Sequence, residues 1–128
     1  MVACLAAVEK VNYEKMPATV DAACLSKMAE RGQIRGAIVD GPLAFDNAIS
    51  TESVKIKGIK SQVAGRADIL MCPNIETGNV IYKSLTEFAS ARCAAIVVST
   101  KAPVVLTSRA DSHETKLLSI ALGVVNCK

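Results

Sequence analysis

Three times in this 128-residue chain an apolar run stops at a short polar turn and opens into a helix-like pattern. The runs are Gly36-Ala37-Ile38-Val39, Ala67-Asp68-Ile69-Leu70-Met71-Cys72 and Pro103-Val104-Val105-Leu106. Helical spacing follows in Leu43–Ser50, in Val80–Phe88 and in Leu117, Leu118, Ile120, Ala121 and Val124. Such alternation predicts an α/β fold with a mostly parallel sheet flanked by helices. The right-handed crossover rule places the turns after Val39, Cys72 and Leu106 on one edge of that sheet. Open α/β sheets take their ligands at this edge. A cleft there would be lined by Asp46, Asn74, Glu76, Asn79, Ser108 and Arg109.

The last of these turns, Thr107-Ser108-Arg109-Ala110-Asp111-Ser112, has the most chemistry. A helix that starts here points unpaired N–H groups and the positive end of its dipole outward, which favours an anion. Arg109 adds a guanidinium fork suited to phosphate or carboxylate, and Ser108 adds a hydroxyl. Cap chemistry accounts for the same residues in another way, with Asp111 or Ser112 as the N-cap and Glu114 or Thr115 in the first turn. On residue types alone both readings stand.

Elsewhere, Val2–Val11 is expected to be a short helix and Asn12–Pro17 a loop. Val20, Ala23, Cys24, Leu25 and Met28 share one face of a helix predicted over Thr19–Arg31, with Gly32 as its C′ residue. Ala94-Ala95-Ile96-Val97-Val98 is expected to be a further strand. Asp40 and Asp46 follow or end the first apolar run, where capping and ligand binding are both open to them.

Composition narrows the function. Half the residues are hydrophobic, yet only two Phe, two Tyr and no Trp occur. The core must be aliphatic, and stacking platforms for single-stranded nucleic acid are scarce. The formal charge of +3 comes from scattered Lys and Arg, which argues against nucleic-acid or membrane-surface partners. Five cysteines with no CxxC pair and a single histidine do not suggest a metal site. Cys72 and Cys93, in apolar runs, are expected to pack as small buried hydrophobes. A reducing cytoplasm suits this cysteine usage. No apolar run approaches the roughly 18 residues of a membrane span. No Walker lysine motif or GxGxxG is present.

Four motifs carry a resemblance. Asp40-Gly-Pro-Leu-Ala-Phe-Asp-Asn-Ala-Ile-Ser50, Val63-Ala-Gly-Arg-Ala-Asp-Ile-Leu70, Pro73-Asn-Ile-Glu-Thr-Gly-Asn-Val-Ile-Tyr-Lys83 and Pro103-Val-Val-Leu-Thr-Ser-Arg-Ala-Asp-Ser112 resemble the phosphate acetyl/butyryltransferase family. The butyryl branch is closer, because SRADS rather than an SRGCS-type motif follows the last apolar run. The resemblance implies a partial isocitrate/isopropylmalate dehydrogenase-like fold, representing the later portion of a two-domain enzyme. On this layout residues 1–105 would form one α/β domain, and 106–128 a strand-end motif and helix returning to a first domain. It further implies interconversion of short-chain acyl-CoA plus phosphate with acyl phosphate plus CoA, without metal or prosthetic group, in a cytoplasmic homo-oligomer. Ser108 would hydrogen-bond the acyl carbonyl or the thiol, and Arg109 would neutralise phosphate. Asn74, Glu76, Asn79 and Lys83 of the third motif, with Asp46 of the first, would bind substrate. Acetyl-type members carry an aspartate where Thr115 stands here, as base for the CoA thiol. Asp111 and Glu114 are the nearby carboxylates that could take that role.

Overall fold

The computed structural model describes residues 1–127. Lys128, the last residue of the expected second segment, lies outside the described residues. Two compact units divide the chain, Met1–Asn79 and Val80 onward.

The first unit is built on three parallel strands, β1 (Val2–Leu5), β2 (Val39–Leu43) and β3 (Ile69–Met71), in the order β2-β1-β3. Strand β1 lies in the middle, pairing Ala3 with Asp40 on one side and with Leu70 on the other. This corrects the helix expected over Val2–Val11. The four residues VACL are apolar towards both faces, as a central parallel strand requires, and so short a run has no periodicity to separate strand from helix. Ala3, Cys4 and Leu5 are accordingly buried, and the core around them consists of small aliphatic side chains such as Ala22, Leu43, Ala48 and Val63.

Helix α1 (Pro17–Glu30) packs on β2 and β1. Pro17 pre-sets the first helical turn, and Gly32, with φ +74°, provides the left-handed C′ residue that ends it. Buried Thr19 ties the entry together, donating to the Met16 carbonyl at 2.7 Å and accepting from the Asn12 amide at 2.8 Å. The short helices α2 (Phe45–Ile49) and α3 (Thr51–Lys57) lead towards β3. Because β2 and β3 flank β1 on opposite sides, the chain reverses its winding at β1, and the crevice of such a sheet opens at the carboxyl ends of β1 and β3.

Helix α4 (Ile75–Glu87) spans the division between the units, and α5 (His113–Val125) closes the described chain. The strands expected at Ala94–Val98 and Pro103–Leu106 are not formed. A single antiparallel bridge, Val97 to Val104, is all that links the two runs. A β-branched run becomes a strand only when a neighbour takes up its ladder hydrogen bonds, and Pro103 offers no donor. Pro103–Leu106 is therefore not a strand of the sheet, and the turn after Leu106 does not follow a sheet strand as those after β2 and β3 do. These extended segments rest instead on small residues of α5. Val105 reaches Gly123 so closely that an added Cβ there would stand 3.0 Å from the valine Cγ2. Buried Ser119 accepts from the Ala95 amide at 3.0 Å and donates to the Thr115 carbonyl at 2.7 Å. Ser119→Ala is expected to strand the Ala95 N–H and cost about 1–2 kcal/mol in urea unfolding. An unchanged midpoint would show that this tether holds nothing.

Cys4 is the buried thiol, and burial, with the charge of Asp40 behind it, raises its pKa. Cys72 and Cys93 are only half-buried, because the runs that contain them lie near the surface of their units.

Candidate functional site

The carboxyl edge of the sheet bears the first group of expected site residues. Asp46 stands in the first turn of α2, exposed, with Lys57 Nζ 3.2 Å from its Oδ2. That lysine holds the Asp46 carboxyl below the usual carboxylate range, against the opposing effect of burial. Lys57 also approaches Glu9 at 3.7 Å, and Glu9 accepts from Asn47 Nδ2 at 3.4 Å. Asn74 caps α4, its Oδ1 accepting from the Thr77 amide at 2.9 Å and from the Thr77 hydroxyl at 2.7 Å. Glu76, Asn79 and Lys83 recur along α4 at i, i+3 and i+7, which puts them on one helix face.

The second group is built around the turn Ser108-Arg109-Ala110-Asp111, within the second unit. The Asp111 amide donates to the Ser108 carbonyl at 3.1 Å, which closes the turn along the main chain. The Ser108 amide donates back to Asp111 Oδ2 at 2.7 Å, closing it a second time through the side chain. Ser108 Oγ accepts from the Ala110 amide at 3.3 Å. Arg109 occupies the exposed corner, and no carboxylate pairs with its guanidinium among the described residues. Ser112 is the N-cap of α5, accepting from the Thr115 amide at 3.1 Å. The cap is thus not Asp111, whose carboxylate is left for the turn.

Asp111 is the most constrained of the expected residues. Its side chain is 8% exposed, Tyr82 Oη donates to its Oδ1 at 2.8 Å, and Lys83 Nζ lies 3.8 Å from the same oxygen. Burial pushes its pKa up. The Tyr82 hydroxyl, the Ser108 amide and the charges of Lys83 and Lys116 outweigh that and hold it below the usual value. The Tyr82 phenol is pushed up to about 12, first by burial and then by the Asp111 carboxylate. Lys83 also stands 5.0 Å from the Tyr82 ring centroid, within cation–π range.

Beside this network is an open depression of about 290 Å³, lined by Tyr82, Lys83, Arg92, Asp111, Ser112 and Thr115 among others. That volume is near the lower limit of small-molecule sites. Glu114 is at its rim, paired with Arg92 at 2.8 Å. Ser108, Arg109, Asp111 and Lys83 therefore belong to one constellation in the second unit, while Asp46 and Asn74 belong to the first. Tyr82 escaped the sequence reading, although it precedes Lys83 in the third motif and is one of only two tyrosines. Among the described residues no cluster of three His, Cys, Asp or Glu could hold a metal ion.

The phosphate acetyl/butaryl transferase family model matches residues 1–124. The chain belongs to the phosphate acetyl/butyryl transferase family. A phosphate butyryltransferase of Clostridium acetobutylicum is 60% identical over 97% of this chain and 41% of its own length. A phosphate acetyltransferase of Thermotoga maritima is 58% identical, again over 97% of this chain and 42% of its own length. The crystal structure of a branched-chain phosphotransacylase from Enterococcus faecalis V583 superposes with a TM-score of 0.84 at 42% identity, covering 99% of this chain and 46% of that one. The chain thus spans about two fifths of the curated relatives it matches. No described helix of this family member is long and apolar enough to cross a membrane.

Proposed function

We propose that the chain carries the phosphate-handling centre of a phosphate acyltransferase that interconverts short-chain acyl-CoA plus phosphate with acyl phosphate plus CoA, with butyryl as the acyl group. The observation that supports this most is the doubly closed Ser108–Asp111 turn, which places at one corner a hydroxyl and a guanidinium that pairs with no carboxylate among the described residues. In the forward direction a phosphate oxygen attacks the thioester carbonyl, a C–O bond forms and negative charge builds on the carbonyl oxygen. The C–S bond then breaks, and CoA leaves as a thiolate that takes up a proton. Donors fixed before the reaction stabilise such charge best, because nothing needs to reorient as it develops. Ser108 Oγ is assigned to the carbonyl oxygen or the thiol, and Arg109 to the phosphate.

Asp111 enters this reading by holding the turn. Both of its oxygens are engaged, and groups that keep it ionised make it a poor acceptor for the thiol's proton. The substrate roles of Asp46, Asn74, Glu76, Asn79 and Lys83 remain part of the proposal, as do a cytoplasmic setting, self-association, and coenzyme A as substrate rather than cofactor.

The test is thiol release from butyryl-CoA by the purified chain. Release that depends on added phosphate is expected. The limited span relative to its relatives favours one other reading, a folded domain that self-associates without turnover. A folded chain that releases no thiol at any phosphate concentration would establish that reading instead.

A further inference from the structure

Tyr82 lies on α4, and Ser108 in the turn before α5, so 26 positions of chain separate them in sequence. Asp111 joins them, with Oδ1 on the tyrosine hydroxyl at 2.8 Å and Oδ2 on the serine amide at 2.7 Å. A carboxylate held by one donor can swing about its side-chain torsions. One held at both oxygens by donors from different elements has a single orientation, and its grip on the amide is correspondingly fixed. With its side chain only 8% exposed, Asp111 leaves little room for water to substitute for either donor. We infer that Tyr82 is a positioning residue, its hydroxyl aligning Asp111 so that the carboxylate clamps the Ser108 amide and with it the Arg109 corner. The clamp stands on geometry alone, and only its value for phosphate transfer rests on the function proposed above. Lys83, Lys116 and Cys93 are the other titratable groups that act on this pair.

Two measurements on the full chain test this. In the first, Tyr13→Phe leaves Tyr82 as the one phenol, and with no tryptophan present tyrosinate absorbance reports it directly. Ionisation at about 12 is expected. Asp111→Asn should bring it down part of the way towards the ordinary value of about 10, since the larger effect, burial, remains. In the second, amide exchange at Ser108 is followed by NMR. Tyr82→Phe should speed it by about tenfold, the loss expected for one charge-assisted hydrogen bond, while amides of α1 stay unchanged. Unchanged Ser108 exchange in a folded Tyr82→Phe chain would overturn the inference. Should that variant fail to fold, a Tyr82 phenol still ionising at its original pH in Asp111→Asn would overturn it as well. Phosphate affinity separates this inference from the functional reading. If Arg109→Ala leaves phosphate binding intact, the functional reading fails, and Ser108 exchange still decides the clamp.

Discussion

Replacing Arg109 by alanine is expected to lower phosphate-dependent thiol release by about 10²–10³-fold, the scale seen when one fixed donor to a developing charge is removed. The guanidinium stands at the corner of a turn closed by two hydrogen bonds, so its backbone is placed before any ligand arrives. No carboxylate among the described residues has to release it first. Arg109→Lys keeps the charge and loses the planar fork, and should recover only part of the rate. The effect should appear in kcat as well as in kcat/KM for phosphate, because the interaction strengthens as charge develops. A decrease smaller than about threefold in kcat/KM would remove Arg109 from the phosphate site.

Gly41→Ala is expected to have the largest effect on folding. A Cβ at this position would lie 2.8 Å from Cys4 Cβ, 2.8 Å from the Cys4 carbonyl oxygen and 3.1 Å from Ala22 Cβ. Cys4 is in the central strand and Ala22 in α1, both buried, so strand, strand and helix meet where only hydrogen fits. None of these atoms is the end of a flexible side chain, and relief requires the elements to move apart. Overpacking of this kind costs about 1–3 kcal/mol and occasionally more, a large part of the roughly 5–15 kcal/mol that hold a domain together. Urea unfolding should show a lower midpoint with the same slope. Gly78→Ala is the contrast, since its nearest neighbour would be Cys72 Cβ at 3.8 Å and alanine is the better helix residue by about 1 kcal/mol. Equal midpoints for the two variants would contradict the packing account.

Much of the first unit was legible because its signals are local. Pro17 and Gly32 bracket α1, and the apolar run at Ile69–Met71 is followed by a polar turn. The strand expected over Gly36–Val39 is displaced: β2 runs Val39–Leu43 and takes in Asp40, Gly41 and Pro42, because Asp40 finds its ladder partner in Ala3. Strand β1 was misread because Ala3, Cys4 and Leu5 are buried by partners 37 to 67 positions away, which no local pattern reveals. The runs at Val97 and Val104–Leu106 failed in the opposite sense. Their β-branched composition suits strands, but a strand also needs a neighbour, and here Ser119 and Gly123 of α5 supply the contacts. At the site, Ser108, Arg109 and Asp111 were visible as a polar turn before a helix. Which of Asp111 and Ser112 capped that helix was a matter of side-chain geometry, and the structure assigns the cap to Ser112. Tyr82 stayed hidden because its role depends on a contact 29 positions along the chain.

Titration of inorganic phosphate into the isotopically labelled chain, with backbone amides followed by NMR, tests the assignment of Arg109 to phosphate directly. Saturable shifts are expected at Ser108, Arg109 and Ala110, and they should disappear in Arg109→Ala. Saturable shifts confined to other segments, or persisting unchanged without Arg109, would contradict that assignment.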